Sequence, residues 1–232
     1  MPCLQSPKPT ISREELASFP TPLGTDTHRP IPHAQVIGTL IETLGFRHIG
    51  VHRDEYAISK DGNKMFGILD LEMTVNGCRL VLGIRNSHDK TMRLSLAVGY
   101  RVLVSENLAF HRQFVPLLAK HSKHFSLQNA VSIGVDETQR NFDPMMRTVE
   151  TLRGLQITDE LAKILIYRAF IEGELAAPKH LGTLVHQYYF HSPYEEFVPR
   201  TMWSLLNAFT GSFQVIDPIP RFKALASLSV FF

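Results

Sequence analysis

Residues 65–84 read MFGILDLEMTVNGCRLVLGI, and their alternation decides the fold. Met65, Leu69, Leu71, Met73 and Val75 fall at odd positions, and Phe66, Ile68, Asp70, Glu72 and Thr74 at even ones. A period of two sends these sets to opposite faces of an extended strand. Asn76-Gly77 follows. Both positions tolerate positive φ, so the pair marks a two-residue hairpin turn. Cys78, Leu80, Leu82 and Ile84 then resume the alternation. With a two-residue loop, Val75 faces Cys78, Thr74 faces Arg79, Glu72 faces Val81, Asp70 faces Gly83 and Ile68 faces Arg85. The apolar set of one strand meets the apolar set of the next, so the register is self-consistent.

The same period extends outward. Met92–Val104 reads as a long strand after a loop at Asn86–Lys90, and Phe46–Val51 and Tyr56–Lys60 as shorter ones, with Asp61-Gly62 as a turn. Residues 46–104 are therefore expected to form an antiparallel meander of four or five strands. Before it, Val36, Ile37, Leu40, Ile41 and Leu44 repeat at three and four, which predicts a one-faced helix over Pro32–Leu44 closed by Gly45. After it the pattern reads as helical. Ser105 opens a segment over Glu106–Ser122, with Pro116 as a kink. Thr158, with Asp159 and Glu160 in the first turn, opens a helix that passes Phe170 and stops at Gly173. Pro178–Phe190 and Arg200–Phe209 are two more. Leu225–Phe232 fits a final strand, a docked tail or a contact with another copy.

Strands followed by helices predict an α+β fold: a meander covered on one face by helices at 33–44, 106–122 and 159–172, then a helical C-terminal half. Residues 1–32 hold seven of the fourteen prolines and read as an arm, with one short helix at Ser12–Ser18 where Ser12 and Glu15 fit a capping box. Residues 33–232 read as a single domain, with 33–125 supplying helix, meander and helix and 126–232 mainly helical.

Composition narrows the function classes. Of 232 residues, 44% are hydrophobic and 20% charged, which excludes wholesale disorder. Two cysteines, Cys3 and Cys78, exclude a disulfide framework and a cysteine-rich zinc site. No apolar run approaches ~18 residues and the N-terminus carries no signal core, so a cytoplasmic protein with no membrane partner is expected. The net charge is only +2, so any nucleic-acid affinity must come from a local patch.

Such a patch exists. Between Arg79 and His124 stand eight basic residues against Asp89 and Glu106, and His88, His111, His121 and His124 add titratable charge. Arg79 and Arg85 share one face of their strand, joined by Arg93 and Arg101 if the next strand continues the meander. Two readings are open: a solvated face with exposed ion pairs worth under ~1 kcal/mol each, or an anion-binding surface exploiting the planar guanidinium fork.

The loop Arg85-Asn-Ser-His-Asp-Lys90 offers a base, a carboxylate, a cation and a hydroxyl. It also suits a turn in which Asn86, Ser87 and Asp89 bond their own backbone, and neighbours in a turn do not converge on one atom. Asp70, Glu72 and Asp89 could furnish an acidic metal centre, but their facing partners are Gly83 and Val81 rather than a further acid or a lysine. The aromatic stretch Gln187–Tyr194 fits either base stacking or a buried core. Trp203 reads as core. No Gly-rich phosphate loop, GxSxG, HExxH or paired CxxC is present, so no cofactor, metal or catalytic residue is expected.

Leu82-Gly-Ile-Arg-Asn-Ser-His-Asp-Lys90, Leu96-Ala-Val-Gly-Tyr-Arg-Val-Leu-Val104, Glu106-Asn-Leu-Ala-Phe110 and Thr201-Met-Trp-Ser-Leu-Leu-Asn-Ala-Phe-Thr210 resemble the signature of a phage- and plasmid-associated family, the nine-hundred-and-thirty-second of the domains of unknown function. The resemblance spans roughly residues 35–210. It implies a mobile-element setting and no established chemistry, so it assigns no catalytic residue. An antiparallel sheet backed by a helix is similar in outline to phage single-strand annealing proteins. Three functions fit that setting. The first is a homo-oligomeric protein that binds single-stranded DNA and aids annealing or protection, with Arg79, Arg85, His88, Lys90, Arg93 and Arg101 on the nucleic acid. The second is a metal-dependent enzyme on nucleic acid or nucleotides. The third is an inhibitor of host defence that binds a host protein.

Overall fold

The computed structural model describes residues 10–110, 117–122 and 125–231. The chain is α+β. The elements run α1 (Arg13–Ala17), α2 (His33–Phe46), β1 (Val51–Ile58), β2 (Lys64–Val75), β3 (Cys78–Ser87), β4 (Leu94–Val102), β5 (Leu108–Phe110), β6 (Leu117–Ala119), α3 (Leu127–Gly154), α4 (Asp159–Tyr167), α5 (Leu181–Phe190), α6 (Met202–Ser212) and α7 (Pro218–Phe231). The strands lie in the order β1-β2-β3-β4-β5, with β6 antiparallel to β4. No helix among the described residues is long and apolar enough to cross a membrane.

The contacts divide the chain into two compact units. Residues 10–100 with 117–142 form a sheet unit. Residues 101–110 with 143–231 form a helical unit. The division falls in β4 after Tyr100 and in α3 after Phe142.

In the sheet unit the hairpin turns as its sequence dictates: Asn76 and Gly77 take φ of 50° and 74°, and Val75 pairs with Cys78 and Thr74 with Arg79. Farther from the turn the expected register is corrected. Asp70 pairs with Val81, Ile68 with Gly83 and Phe66 with Arg85, because Leu71, Glu72 and Met73 lie against Leu80 alone. The two extra residues form a bulge. There Glu72 leaves the ladder and its amide donates to the carbonyl of Gly50 at 2.8 Å. A shift of two keeps every side chain on its expected face.

One face is the main core. Met65, Leu69, Leu71, Leu80 and Leu82 join Val36, Ile37, Leu40 and Leu44 of α2, all fully buried. Burial also reaches the other face, where Phe66, Ile68, Asp70 and Val81 are inaccessible. The expected single covered face is thus too simple for β2 and β3. α1 carries the predicted capping box on Ser12 and Glu15. α2 ends later than expected: Gly45 stays helical, and His48, at φ 55°, takes the left-handed position beyond Arg47.

The helix expected over 106–122 is not seen in its described residues, and 111–116 of that span lie outside them. Leu103–Glu106 turns the chain, Glu106 sits at φ 58°, and the amide of Val102 donates to the carbonyl of Asn107 at 2.8 Å, which starts β5. Leu117 and Ala119 then pair with Leu96 and Leu94, so β6 satisfies backbone groups along β4 that would otherwise lie at an open edge. β1 and β3 are longer than expected, and β3 absorbs Arg85–Ser87 of the expected loop. α3, at 28 residues the longest helix, has no counterpart in the sequence reading. The C-terminal tail is a helix that buries Ala224, Leu225 and Leu228.

Gly67 marks the tightest packing of the sheet. A Cβ there would lie 2.9 Å from both Ile84 Cγ2 and Tyr56 Cδ1. Tyr56 is the residue paired with it across β1. Gly67→Ala is expected to lower stability by roughly 1–3 kcal/mol through overpacking. A urea midpoint that shifts accordingly at unchanged slope checks this.

Candidate nucleic-acid interface

Six residues were expected on the ligand, and the structure separates them. Arg79 and Arg85 share one face of β3, at positions of equal parity. Arg85 is exposed and makes no ion pair or side-chain hydrogen bond among the described residues. Desolvation by its neighbours lowers its pKa, with no acid opposing it. Arg79 is half-buried, and its Nε has no hydrogen-bond partner. Arg93, just before β4, is exposed and unpaired among the described residues. Lys90 is exposed, with Nζ 3.5 Å from Thr25 Oγ1.

Arg101 and His88 stand apart from this group. Arg101 is 6% exposed; it donates to the carbonyl of Glu106 at 3.3 Å and lies 3.8 Å from its carboxylate. His88 is 4% exposed and belongs to a histidine cluster. Of the other basic residues counted in the patch, Arg112 and Lys123, with His111 and His124, lie outside the described residues.

The carboxylates nearby are committed elsewhere. Asp89 accepts from Ser87 Oγ, from Thr91 Oγ1 at 2.5 Å and from the Thr91 amide at 3.1 Å, and Lys64 Nζ is 3.4 Å away. Partial burial pushes its pKa up, but these hydrogen bonds and Lys64 outweigh it and hold the carboxyl well below the usual range. The loop is thus a self-bonded turn. Asp70 is 1% exposed, and Arg53 on β1 donates to it at 3.0 Å; a buried carboxylate needs such a partner. Among the described residues no three His, Cys, Asp or Glu side chains gather as metal ligands.

The histidine cluster was not expected. His28, His33, His88 and His121 are all buried and come from three segments of the sheet unit, His28 and His33 lying in one. His33 and His88 stack at 3.9 Å, and His28 and His121 at 5.7 Å. Asn86 Nδ2 donates to His33 Nδ1 and to the carbonyl of Ile31, both at 2.9 Å, which leaves His33 Nε2–H to donate to the carbonyl of Gly62 at 3.1 Å. His88 Nε2 donates to the carbonyl of Ile31 at 2.9 Å. His28 has a carbonyl at each ring nitrogen, from His121 and from His88, both at 3.1 Å. Among the described residues His121 has no hydrogen-bond partner on either ring nitrogen. These contacts fasten residues 25–33 to the end of the sheet. No sequence signal marks the cluster, because no two of its members share a helical or strand spacing.

In the helical unit the segments Glu106–Phe110 and Thr201–Thr210 meet. Asn107 Nδ2 donates to the carbonyl of Asn207 at 3.1 Å and to its Oδ1 at 3.0 Å. Gln214 Nε2 donates to Asn107 Oδ1 at 2.9 Å. Tyr188 and Tyr194 of the aromatic stretch line a cleft together with this amide group. Tyr189 and Trp203 are core.

Burial pushes His33 and His121 down to about 4 from the ordinary 6.5, each further lowered by neighbouring histidines. The folded state therefore holds them neutral. Below the unfolded value the unfolded chain takes up protons that the folded chain refuses, so stability present above pH 6.5 is lost as pH falls toward 4. Urea midpoints across that window are expected to fall steadily. His121→Phe should flatten the fall and raise the midpoint at pH 5, since a buried polar atom without a partner costs about 1–3 kcal/mol. A His121→Phe curve that runs parallel to the parent's refutes this.

No family model, no curated protein and no solved structure matches this chain.

Proposed function

We propose that this protein binds single-stranded nucleic acid through the hairpin β3–β4 and acts in annealing or protection rather than catalysis, in the mobile-element setting that its signature segments imply. The observation that carries the reading is how the arginines are used. Arg13, Arg47, Arg53, Arg101, Arg140, Arg153, Arg168 and Arg200 each pair with a carboxylate. Arg79, Arg85 and Arg93 pair with none among the described residues; Arg29 and Arg147 pair with none either, but neither lies on the hairpin, where the three unpaired arginines gather. A guanidinium without an acid keeps its charge and its planar fork for a phosphate.

Spacing supports the same reading. Arg79 and Arg85 are six residues apart on one strand, roughly 20 Å. That length matches about six nucleotides of a strand stacked at about 3.4 Å each. Lys90 and Arg93 continue the charge past the far end of β3. Asp89, the acid between them, is already held by Ser87, Thr91 and Lys64 and neutralises little of it.

Four phosphate contacts predict a log–log salt slope near −3 for single strands, at about −0.7 per contact. Arg79→Ala, Arg85→Ala and Arg93→Ala combined are expected to leave the circular dichroism spectrum unchanged. The same triple variant should make the slope shallower by about two and weaken binding about tenfold or more at moderate salt. Arg101 is left intact because it is buried against Glu106. Fluorescence anisotropy of a labelled oligonucleotide reads both quantities. A parent that retains no strand, or a triple variant with the parent's slope, overturns the reading. Annealing of complementary strands, with duplex as the competitor, separates annealing from protection.

A further inference from the structure

The cleft in the helical unit is built differently from the hairpin. It holds about 80 Å³ of space between the β4–β5 turn, α5 and α6. A water needs roughly 10–15 Å³ on this measure, so the cleft has room for more than a lone water. Its floor is Asn107, Asn207 and Gln214, and its walls include Tyr188, Tyr194 and Phe197. Among the described residues no charged side chain lines it. A phosphate or carboxylate would therefore find no counter-charge there, whereas a flat, neutral, hydrogen-bonding group would find amides and aromatic faces.

The walls and floor are fixed before any ligand arrives. Tyr194 packs edge-on against Phe197, with centroids 5.6 Å apart, and Phe197 packs the same way on Trp203 at 6.4 Å. The Tyr194 amide donates to Ser192 Oγ at 3.1 Å. Asn107 is held by Asn207 and by Gln214. Gln214 spends its Nε2 on Asn107 Oδ1 and the Ser105 carbonyl, while its Oε1 makes no hydrogen bond among the described residues. The Tyr188 hydroxyl makes none there either. One acceptor and one hydroxyl thus remain for an incoming group. Gly211 keeps the space open: a Cβ there would lie 3.2 Å from Asn107 Oδ1 and 3.4 Å from Tyr188 Cδ2.

We infer that this cleft is a subsite for one unpaired nucleobase, with Tyr188 and Tyr194 offering ring faces and Gln214 an acceptor for the base edge. The inference takes its macromolecule from the proposed nucleic-acid function and adds a site that reads base rather than phosphate. Side-chain amides match the donor and acceptor edges of bases, and tyrosine stacks on any base.

The test compares an oligothymidylate with an abasic strand of equal length and charge. The parent should bind the base-bearing strand about tenfold more tightly, the scale of one stacked base. Gly211→Ala should erase that preference while leaving abasic affinity and salt slope at parental values. Tyr194→Ala, at an exposed ring, provides a second variant with the same expected outcome. A parent that binds both strands equally overturns the subsite and leaves the hairpin reading standing. A Gly211→Ala variant that keeps the preference, or that loses abasic binding too, also overturns it. If no strand binds at all, the hairpin reading fails, and the cleft is judged alone by titrating millimolar thymidine while following the Gly211 amide by NMR. A shift confined to the cleft supports the subsite, and no shift refutes it.

Discussion

Side-chain parity in β3 is the constraint on which the rest depends. A strand sends alternate residues to opposite faces, so a slip of one residue would place Arg79 and Arg85 on the face that carries the fully buried Leu80 and Leu82. Two features prevent it. The Asn76-Gly77 turn sets the phase at one end, with both residues at positive φ. The bulge at Leu71–Met73 then inserts two residues rather than one, so the phase survives. Core packing and surface charge are thereby linked: the same alternation that sends Leu80 and Leu82 into the core sends Arg79 and Arg85 the other way. Arg53 and Asp70 lie on that second face, and their pairing satisfies the one buried carboxylate there. The basic character of the face is left to the residues of β3.

Much of this was legible in the sequence, and what was not fails for identifiable reasons. Period-two alternation found β2, β3 and β4 because each buries an uninterrupted alternate set. It missed β5 and β6 because three-residue strands carry too little pattern to stand out. α3 escaped for the opposite reason. Its buried residues Leu127, Val131, Val135, Phe142, Met145 and Val149 do repeat at helical spacing. Thr138 occupies the gap in that stripe as a fully buried polar residue, bonding its hydroxyl to the carbonyl of Gly134 at 2.8 Å. With Gly134, Asn141 and Pro144 beside it, the polar content masks a stripe that is geometrically complete.

The candidate site shows the same split. Local charge is a sum over sequence and can be read directly, so Arg79, Arg85, Lys90 and Arg93 were identifiable. Pairing is a three-dimensional property. Nothing in the sequence says that Arg101 is buried against the turn that follows it while Arg85 is left without an acid. The histidine cluster is harder still, because His28, His33, His88 and His121 acquire meaning only when the arm lies across the end of the sheet. Their depressed basicity results from that burial.

The signature segments carry a further lesson about what a motif records. Asn86, Ser87, His88, Asn107, Asn207 and Thr210 are buried polar residues of these segments. Each is used inside the protein. Asn86 ties α2 and the chain before it to β3. Asn107 ties the β4–β5 turn to α6 across 100 residues. A buried amide that satisfies donor and acceptor together fixes one arrangement and penalises alternatives, since any slip leaves it desolvated and unpaired. These residues are therefore positioning groups. Exposed cations lie beside them: Arg85 immediately before Asn86 and Lys90 two residues after His88. On this reading, buried amides hold the frame and exposed neighbours of the same segments meet the ligand, so substitutions at the two kinds of position should fail in different ways, through stability at the first and through binding at the second.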